Sequence, residues 1–489
     1  LIRVFGPRVL HHAKGRGPGL LLLPFQAAAK RSPKRSVFGL KWKPCQHLSQ
    51  RDLVPLSRPM QESCRTLLAS PLGLPCGAVL PNRLAKSAMS EGVGSSNHCP
   101  TPAFEHLYRV WAEGGAGLLL TGNVMVDRLA LSEPGNVVLE DDRDLDAFRS
   151  WAGAATRSGH HVWLQLNHPG RQSPRSLSAR PVAPSAVPME MTTFFAPPQP
   201  LEESQIESLV LRFARSAALG QQAGFTGVQV HAAHGYLISQ FLSPLTNRRT
   251  DGWGANAAGR RRFLLEIVAA VRSAVSPTYP VGVKLNSADF QRGGFDEEDA
   301  LAVVAELGTA GIDLLEISGG TYEKPMMMGS QRASSLAREA YFIDFARRVR
   351  SISPVPLMVT GGFRSAAAME AALADGGLDL IGLGRPLILE PDLCRRLLDG
   401  TSTAALPARR FDYGRWSGVV DLVWHADQLR CLANGFQPNP KRPPLASIGR
   451  LLLSRFIRPL LVQRPRAALN HAIAALTHDR SKPPGGDLR

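Results

Sequence analysis

Val355-Pro-Leu-Met-Val-Thr-Gly-Gly-Phe-Arg364 is a short β-rich apolar run that opens into a glycine pair, and Leu378-Asp-Leu-Ile-Gly-Leu-Gly-Arg-Pro386 repeats the form after an Ala-rich helical segment. The same alternation extends back along the chain to about residue 77. It yields eight strand expectations: Val79–Lys86, Gly117–Thr121, His161–Leu166, Gly227–His231, Val281–Leu285, Ile312–Ile317, Val355–Thr360 and Leu378–Leu383. Runs of this length without strict polar alternation suit parallel strands buried on both faces. Between them lie the amphipathic segments Glu203–Gln222, Arg260–Ser273, Asp296–Ala310 and Ala340–Ser351, with Asp296 and Ser204 as N-cap candidates. Eight strand–helix units predict an α/β fold, a (β/α)8 TIM barrel. The competing arrangement is a doubly wound open sheet, but no Gly-x-Gly-x-x-Gly opens the first helix.

The barrel is expected to occupy residues 66–402, between a basic extension at 1–65 and a basic, helical extension at 403–489. Hydrophobic residues make up 44% and charged residues 20% of the 489, as in an ordinary globular protein. The net charge of +17 is not spread evenly. Residues 1–50 carry +10 and residues 405–489 carry +9, leaving the middle at about −2. A basic total suggests nucleic acid or a membrane as partner, but a nearly neutral barrel does not, and no nucleic-acid partner is expected. Six scattered cysteines (45, 64, 76, 99, 394 and 431) form no Cys-x-x-Cys pair, which disfavours zinc and iron–sulfur sites and suits a reducing compartment. No apolar stretch approaches the roughly 18 residues of a membrane span.

Residues 1–59 hold a single acidic residue, Asp52, and are rich in Arg, Lys, Ser and Gly, the composition of a mitochondrial transit peptide. The first methionine is Met60, and the preferred reading is that 1–59 come from an extended gene model, which gives a cytoplasmic expectation. Beyond Gly400, residues 411–436 read as helix and 479–489 as disordered tail. Ala446–Gln463 carries Ile448, Leu452, Phe456 and Leu460 at helical spacing beside Arg450, Arg455 and Arg458. A helix covering the barrel is preferred there over a membrane-surface helix, because Pro459 interrupts it.

Barrel enzymes build their sites at the C-terminal ends of the strands. Those ends deliver Ser90 after Ala88-Met89, Thr121-Gly122, Gln165, then His231, His234 and Tyr236, then Lys284, Ser318-Gly-Gly320, Gly361-Gly362 and Gly384-Arg385. The two glycine turns after strands seven and eight expose backbone N–H groups at helix starts, an anion cradle where barrels commonly bind phosphate, and Arg385 adds a fixed cation. A phosphate site together with Gln165 and Lys284 suggests a phosphorylated planar cofactor. Glutamine offers a donor and an acceptor to an imide edge, lysine stabilises negative charge on a reduced ring, and FMN meets both conditions. His231-Ala-Ala-His-Gly-Tyr236 supplies two imidazoles able to hold a carbonyl oxygen and a phenol able to give up a proton. Metal binding by His-x-x-His lacks a third ligand in the motif, and the spacing is that of a loop.

Six segments resemble the old yellow enzyme family, also called the NADH:flavin oxidoreductase/NADH oxidase family. They are Pro81–Met89, Gln165-Leu-Asn-His-Pro-Gly-Arg-Gln172, His231–Leu237, Gln240–Asp251, Thr360–Gly362 and Gly384-Arg-Pro386, in the family's order across roughly 66–402. The resemblance implies that Ala88, Met89 and Ser90 lie against FMN and that Gln165 binds its pyrimidine edge. It implies that Lys284 stands where the family more often has Arg, and that Gly362, Gly384 and Arg385 hold the phosphate. His231 and His234 would bind the carbonyl oxygen of an α,β-unsaturated substrate, and Tyr236 would be the proton donor. Hydride would pass from NADH or NADPH through FMN in a ping-pong cycle. Ser90 replaces the family's usual Thr or Cys, and Gly252–Arg260 departs from the usual loop sequence, which puts its salt bridges in doubt.

Other flavin barrels fit less well. A tRNA dihydrouridine synthase-like enzyme expects Asn-x-Gly-Cys-Pro after strand four. A dienoyl-CoA-reductase-like enzyme needs a cysteine cluster and further domains. A catalytically inactive scaffold would not need the retained site residues. A homo-oligomer is compatible with the sequence.

Overall fold

The computed structural model describes residues 67–452, apart from 158, 322, 324–333 and 410. The extension 1–65, the tail 479–489 and the second half of the Ala446–Gln463 helix expectation lie outside the described residues. Eight parallel strands form the core: β1 (Leu84–Lys86), β2 (Leu118–Met125), β3 (His161–Asn167), β4 (Gly227–Ala232), β5 (Val281–Asn286), β6 (Leu314–Ser318), β7 (Leu357–Thr360) and β8 (Leu380–Leu383). Each pairs with its sequence neighbour, and β8 pairs with β1, so the sheet closes into the expected barrel. Outside it run α1 (Pro102–Glu113), α2 (Leu145–Thr156), α3 (Glu203–Gln222), α4 (Ala257–Ala274), α5 (Glu297–Thr309), α6 (Ser334–Arg350) and α7 (Ala366–Ala374).

The first strand is shorter than the sequence suggests. Val79–Leu80 pairs antiparallel with Leu72–Gly73, and only Leu84–Lys86 joins the barrel. Pro81 has no N–H for a ladder, and Asn82 Oδ1 then accepts from the N–H groups of Leu84 and Gly117, each at 3.0 Å, which turns the chain into the barrel. The hairpin plugs the barrel floor. Leu72, Leu74 and Leu80 pack with the inward residues Leu118, Leu120, Trp163, Leu314, Met358 and Leu380. The alternate residues Leu119, Val162, Leu164, Val228, Val230, Val283, Leu315 and Leu357 face the helices in a separate, larger core. Burial on both faces explains why these strands read as continuous apolar runs.

Two glycines make the floor possible. A methyl group on Gly227 would lie 2.5 Å from the Trp163 indole nitrogen, and one on Gly282 would lie 3.0 Å from the same ring system. Asp296 caps α5 by accepting from Asp299 N–H at 3.0 Å, as expected. Ser204 does not cap α3. Glu202 is the N-cap, and Gln205 reaches back to its N–H at 2.9 Å, so Ser204 lies inside the first turn. The expected helix at 340–351 begins earlier, at Ser334.

After α8 (Leu393–Leu398), the last helix of the barrel, the C-terminal extension forms α9 (Ser417–Ala433), the main helix within the 411–436 expectation, and α10 (Pro444–Leu452). Phe411, Val420 and Trp424 form a small core with Leu389 and Ile448 packed against it. Ile448 therefore faces α9, in keeping with a covering helix. No helix among the described residues is long and apolar enough to cross a membrane.

Candidate active site

His231 is the next-to-last residue of β4, and the chain curls sharply after Ala232. His234 (φ +63°) and Gly235 (φ +75°) are both left-handed, which costs energy for a non-glycine residue unless its surroundings hold it. Here they do: Asn286 Oδ1 accepts from His234 N–H at 3.2 Å, and Gln172 Nε2 donates to His234 O at 3.1 Å. The curl returns Tyr236 to the barrel mouth. The His231 ring stands 5.0 Å from the His234 ring and 5.0 Å from the Tyr236 ring, edge-on to both. Asn123 Nδ2 reaches the Tyr236 hydroxyl at 3.4 Å. The motif read from the sequence is thus one three-ring cluster.

Burial, with the neighbouring His234 and Lys284, pushes the His231 imidazole well below its usual range. Burial and Lys284 do the same to His234. Both are therefore neutral near pH 7. His231 Nδ1 accepts from Ala233 N–H at 3.2 Å, which places its proton on Nε2. His234 Nε2 lies 2.7 Å from Ser318 Oγ.

A buried polar layer spans the barrel just below the rings. Lys284, the register partner of His231 on β5, is 2.9 Å from Glu316 on β6. Glu316 also accepts from Gln229 Nε2 at 2.8 Å and Thr360 Oγ1 at 2.6 Å. Gln229 Oε1 accepts from Gln165 Nε2 at 2.7 Å. Gln165 and Lys284 were anticipated; Gln229, Glu316 and Thr360 were not assigned to the site. The available signal was a polar residue at an inward position of an apolar strand, as in Val228-Gln-Val230 and Leu315-Glu-Ile317.

Gly122 sits at a register shift in β2, between Leu120 and Asn123. Its N–H donates to Glu91 at 2.7 Å, and a methyl there would stand 2.8 Å from the Glu91 carboxyl carbon. β2 is thereby pressed against the Ala88–Ser90 segment. Ala88 packs on the inner core, Met89 Sδ lies 3.8 Å from where a Gly384 side chain would start, and Ser90 is exposed. Behind this segment Glu91 also accepts from the Tyr108 hydroxyl. Lys86 donates to Leu120 O at 2.6 Å and Tyr108 at 3.2 Å, with Nζ over the Trp111 ring at 4.4 Å. None of these three was assigned from the sequence.

Gly361 (φ +117°) and Gly362 (φ +83°) turn left-handed at the exposed end of β7, and nothing lies within 4 Å of a methyl placed on Gly361. Gly384 and Arg385 follow β8. The Arg385 guanidinium is half-exposed and pairs with Asp421 of α9 at 2.8 Å. The C-terminal extension thus holds the arginine expected at the phosphate. FMN fits this arrangement: open glycine turns and a cation stand at the ends of β7 and β8. Gln165 commits one amide proton to Gln229, and no described donor reaches its Oε1.

Across the mouth, Arg171 and Glu323 form a buried pair at 2.7 Å, which ties the loop after β3 to the loop after β6. The atypical 252–260 loop keeps ion pairing, with Arg260 at 3.9 Å from Asp299, while Arg262 covers Trp253 and Trp253 Nε1 donates to Glu203 at 3.0 Å. A groove of about 790 Å³ beside that loop is lined by Thr250–Gly252, Arg262, Leu265 and Glu306 and includes none of the three site rings.

The three rings, the buried amide–lysine layer and the glycine turns all stand at the C-terminal mouth of a TIM barrel, where that fold builds its active sites. The NADH:flavin oxidoreductase / NADH oxidase family model matches residues 70–403, and the chain belongs to that family, the old yellow enzymes, built around FMN. It is 42% identical over 349 residues to an NADH-dependent flavin oxidoreductase of Neonectria sp. (strain DH2), covering 66% of this chain and 45% of that protein. To an NADH-dependent flavin oxidoreductase of Talaromyces variabilis it is 40% identical over 405 residues, covering 75% of this chain and 98% of that protein. The chain thus spans less than half of the first relative and nearly all of the second. Among solved structures it is similar to morphinone reductase in complex with tetrahydroNAD, with a TM-score of 0.58 and 26% identity over 69% of this chain and 91% of that one.

Proposed function

We propose that the chain reduces the C=C bond of α,β-unsaturated carbonyl compounds in a ping-pong cycle. The observation that carries this reading is the cluster of two neutral imidazoles and a phenol at the end of β4, beside Lys284. FMN, when bound, would supply hydride-transfer chemistry between a nicotinamide and the alkene β-carbon. Gln165 and Lys284 would meet its pyrimidine edge, Ala88, Met89, Ser90 and Gly122 its ring, and Gly361, Gly362, Gly384 and Arg385 its phosphate.

His231 donates its Nε2–H to the substrate carbonyl oxygen. Ser318, by donating to His234 Nε2, leaves the Nδ1–H of that ring to make the second bond. Two neutral donors stabilise negative charge developing on that oxygen without protonating it. Tyr236 then delivers a proton to the α-carbon. The Neonectria and Talaromyces relatives are named for NADH, which favours NADH over NADPH as reductant.

Tyr236→Phe tests the assignment. The ring and its packing remain, while the hydroxyl goes and with it the 3.4 Å contact from Asn123. Stopped-flow measurement should show flavin reduction by NADH within about twofold of wild type and alkene reduction slowed on the order of 10²- to 10⁴-fold, the usual range for a lost general acid. Equal slowing of both half-reactions would refute the role.

A further inference from the structure

Glu316 is a fully buried carboxylate in a barrel whose neighbouring inward positions, Leu314 and Met358, are apolar. A buried charge is costly, and well-packed apolar residues commonly replace such groups without loss of stability. Packing therefore does not account for it, and its partners point elsewhere. It holds Lys284 at 2.9 Å, Thr360 Oγ1 at 2.6 Å and Gln229 Nε2 at 2.8 Å, so four strands, its own included, meet at this carboxylate. Gly382 keeps the space open on a fifth: a methyl there would stand 2.6 Å from Ser87 Oγ, which is itself 2.9 Å from Thr360 Oγ1.

All three partners can donate, and an ionised carboxylate only accepts. That fact sets the direction of the whole network. Gln229 must turn its NH2 toward Glu316 and its Oε1 toward Gln165. Gln165 must then give one N–H to Gln229, leaving its Oε1 and second N–H for another partner. An amide pair alone has no preferred direction; the carboxylate imposes one. The same carboxylate cancels the charge of Lys284.

We propose that Glu316 is a positioning residue for the cofactor: it lowers the reduction potential of FMN by neutralising Lys284, and through Gln229 it sets which edge of the Gln165 amide meets the pyrimidine ring. The inference rests on the reading that Lys284 and Gln165 face the flavin. Replacing Glu316 by Gln leaves Lys284 uncompensated where reduced FMN carries negative charge, so reduction becomes easier. It also frees the amide chain to reverse.

The test is the midpoint potential of purified holoenzyme, measured by dye equilibration, with sulfite affinity for the flavin as a second readout. Glu316→Gln should shift the reduction equilibrium about tenfold toward reduced flavin, about 30 mV for a two-electron couple. Sulfite should bind more tightly by a similar factor. Glu316→Asp, which keeps the charge, should restore most of the wild-type potential. Lys284→Met should lower the potential and serves as the control on the site. If Lys284→Met shifts the potential and Glu316→Gln does not, the role of Glu316 is refuted while the site assignment stands. If neither shifts it, the site assignment itself fails. Should Glu316→Gln not retain FMN, Gln229→Met isolates the amide relay. About tenfold weaker FMN binding is then expected, and unchanged binding overturns the proposal.

Discussion

Replacing Lys86 by Met should flatten the alkaline stability profile. Lys86 is fully buried. Its ammonium lies over Trp111 and donates to Leu120 O and Tyr108. Loss of hydration pushes its pKa from 10.5 down to about 8; the Glu91 charge opposes the shift, Lys284 adds to it and Glu316 opposes it again. In the unfolded chain the lysine titrates near its ordinary value. Between about pH 8 and 10.5 the unfolded state therefore binds a proton that the folded state has released, and stability rises with pH across that window. At about 1.4 kcal/mol per unit, the difference amounts to about 3 kcal/mol, fully present above pH 10.5 and lost as pH falls through 8. Urea unfolding of wild type and Lys86→Met, at matched FMN and at pH 7, 8, 9 and 10, subtracts every other titrating group. The wild type should gain stability on the variant by about 1 kcal/mol per unit above pH 8. Parallel profiles would show that Lys86 is not strained by its burial, and the reasoning would fail.

Two other outcomes follow from the packing. Gly227→Ala should destabilise the barrel by about 1–3 kcal/mol in urea unfolding, because its methyl group meets the Trp163 indole at 2.5 Å; a neutral result would mean the floor can repack. Arg171→Met should cost about 3 kcal/mol by stranding Glu323, whose side chain is only 9% exposed. The double variant with Glu323→Gln should lose less than the sum of the two singles in a double-mutant cycle.

Much of the molecule was legible because the relevant signals are local. A strand buried on both faces produces a short β-rich run wherever it lies, and each of the eight runs supplies one barrel strand. Strand ends announce themselves by glycine turns, so Gly361, Gly362, Gly384 and Arg385 lie where the pattern put them, at the ends of β7 and β8, and His231–Tyr236 lies at the end of β4. The errors have local causes too. Val79–Lys86 read as one strand because both of its halves are apolar, and the break at Pro81-Asn82 depends on Asn82 Oδ1 reaching Gly117. Ser204 is a good capping residue, but Glu202 and Gln205 had already closed the first turn.

The amino-acid sequence by itself determined the eightfold alternation and the chemistry available at each strand end, because backbone pattern and turn residues act within a few positions of one another. Only the tertiary structure decided which inward polar groups meet. Lys284 and Glu316 are 32 residues apart in the chain yet register partners on adjacent strands, and Arg385 reaches Asp421 only because α9 folds back over the barrel. Pairing across strands depends on register and closure. No local pattern encodes these, so the charge state of the site became visible only in three dimensions.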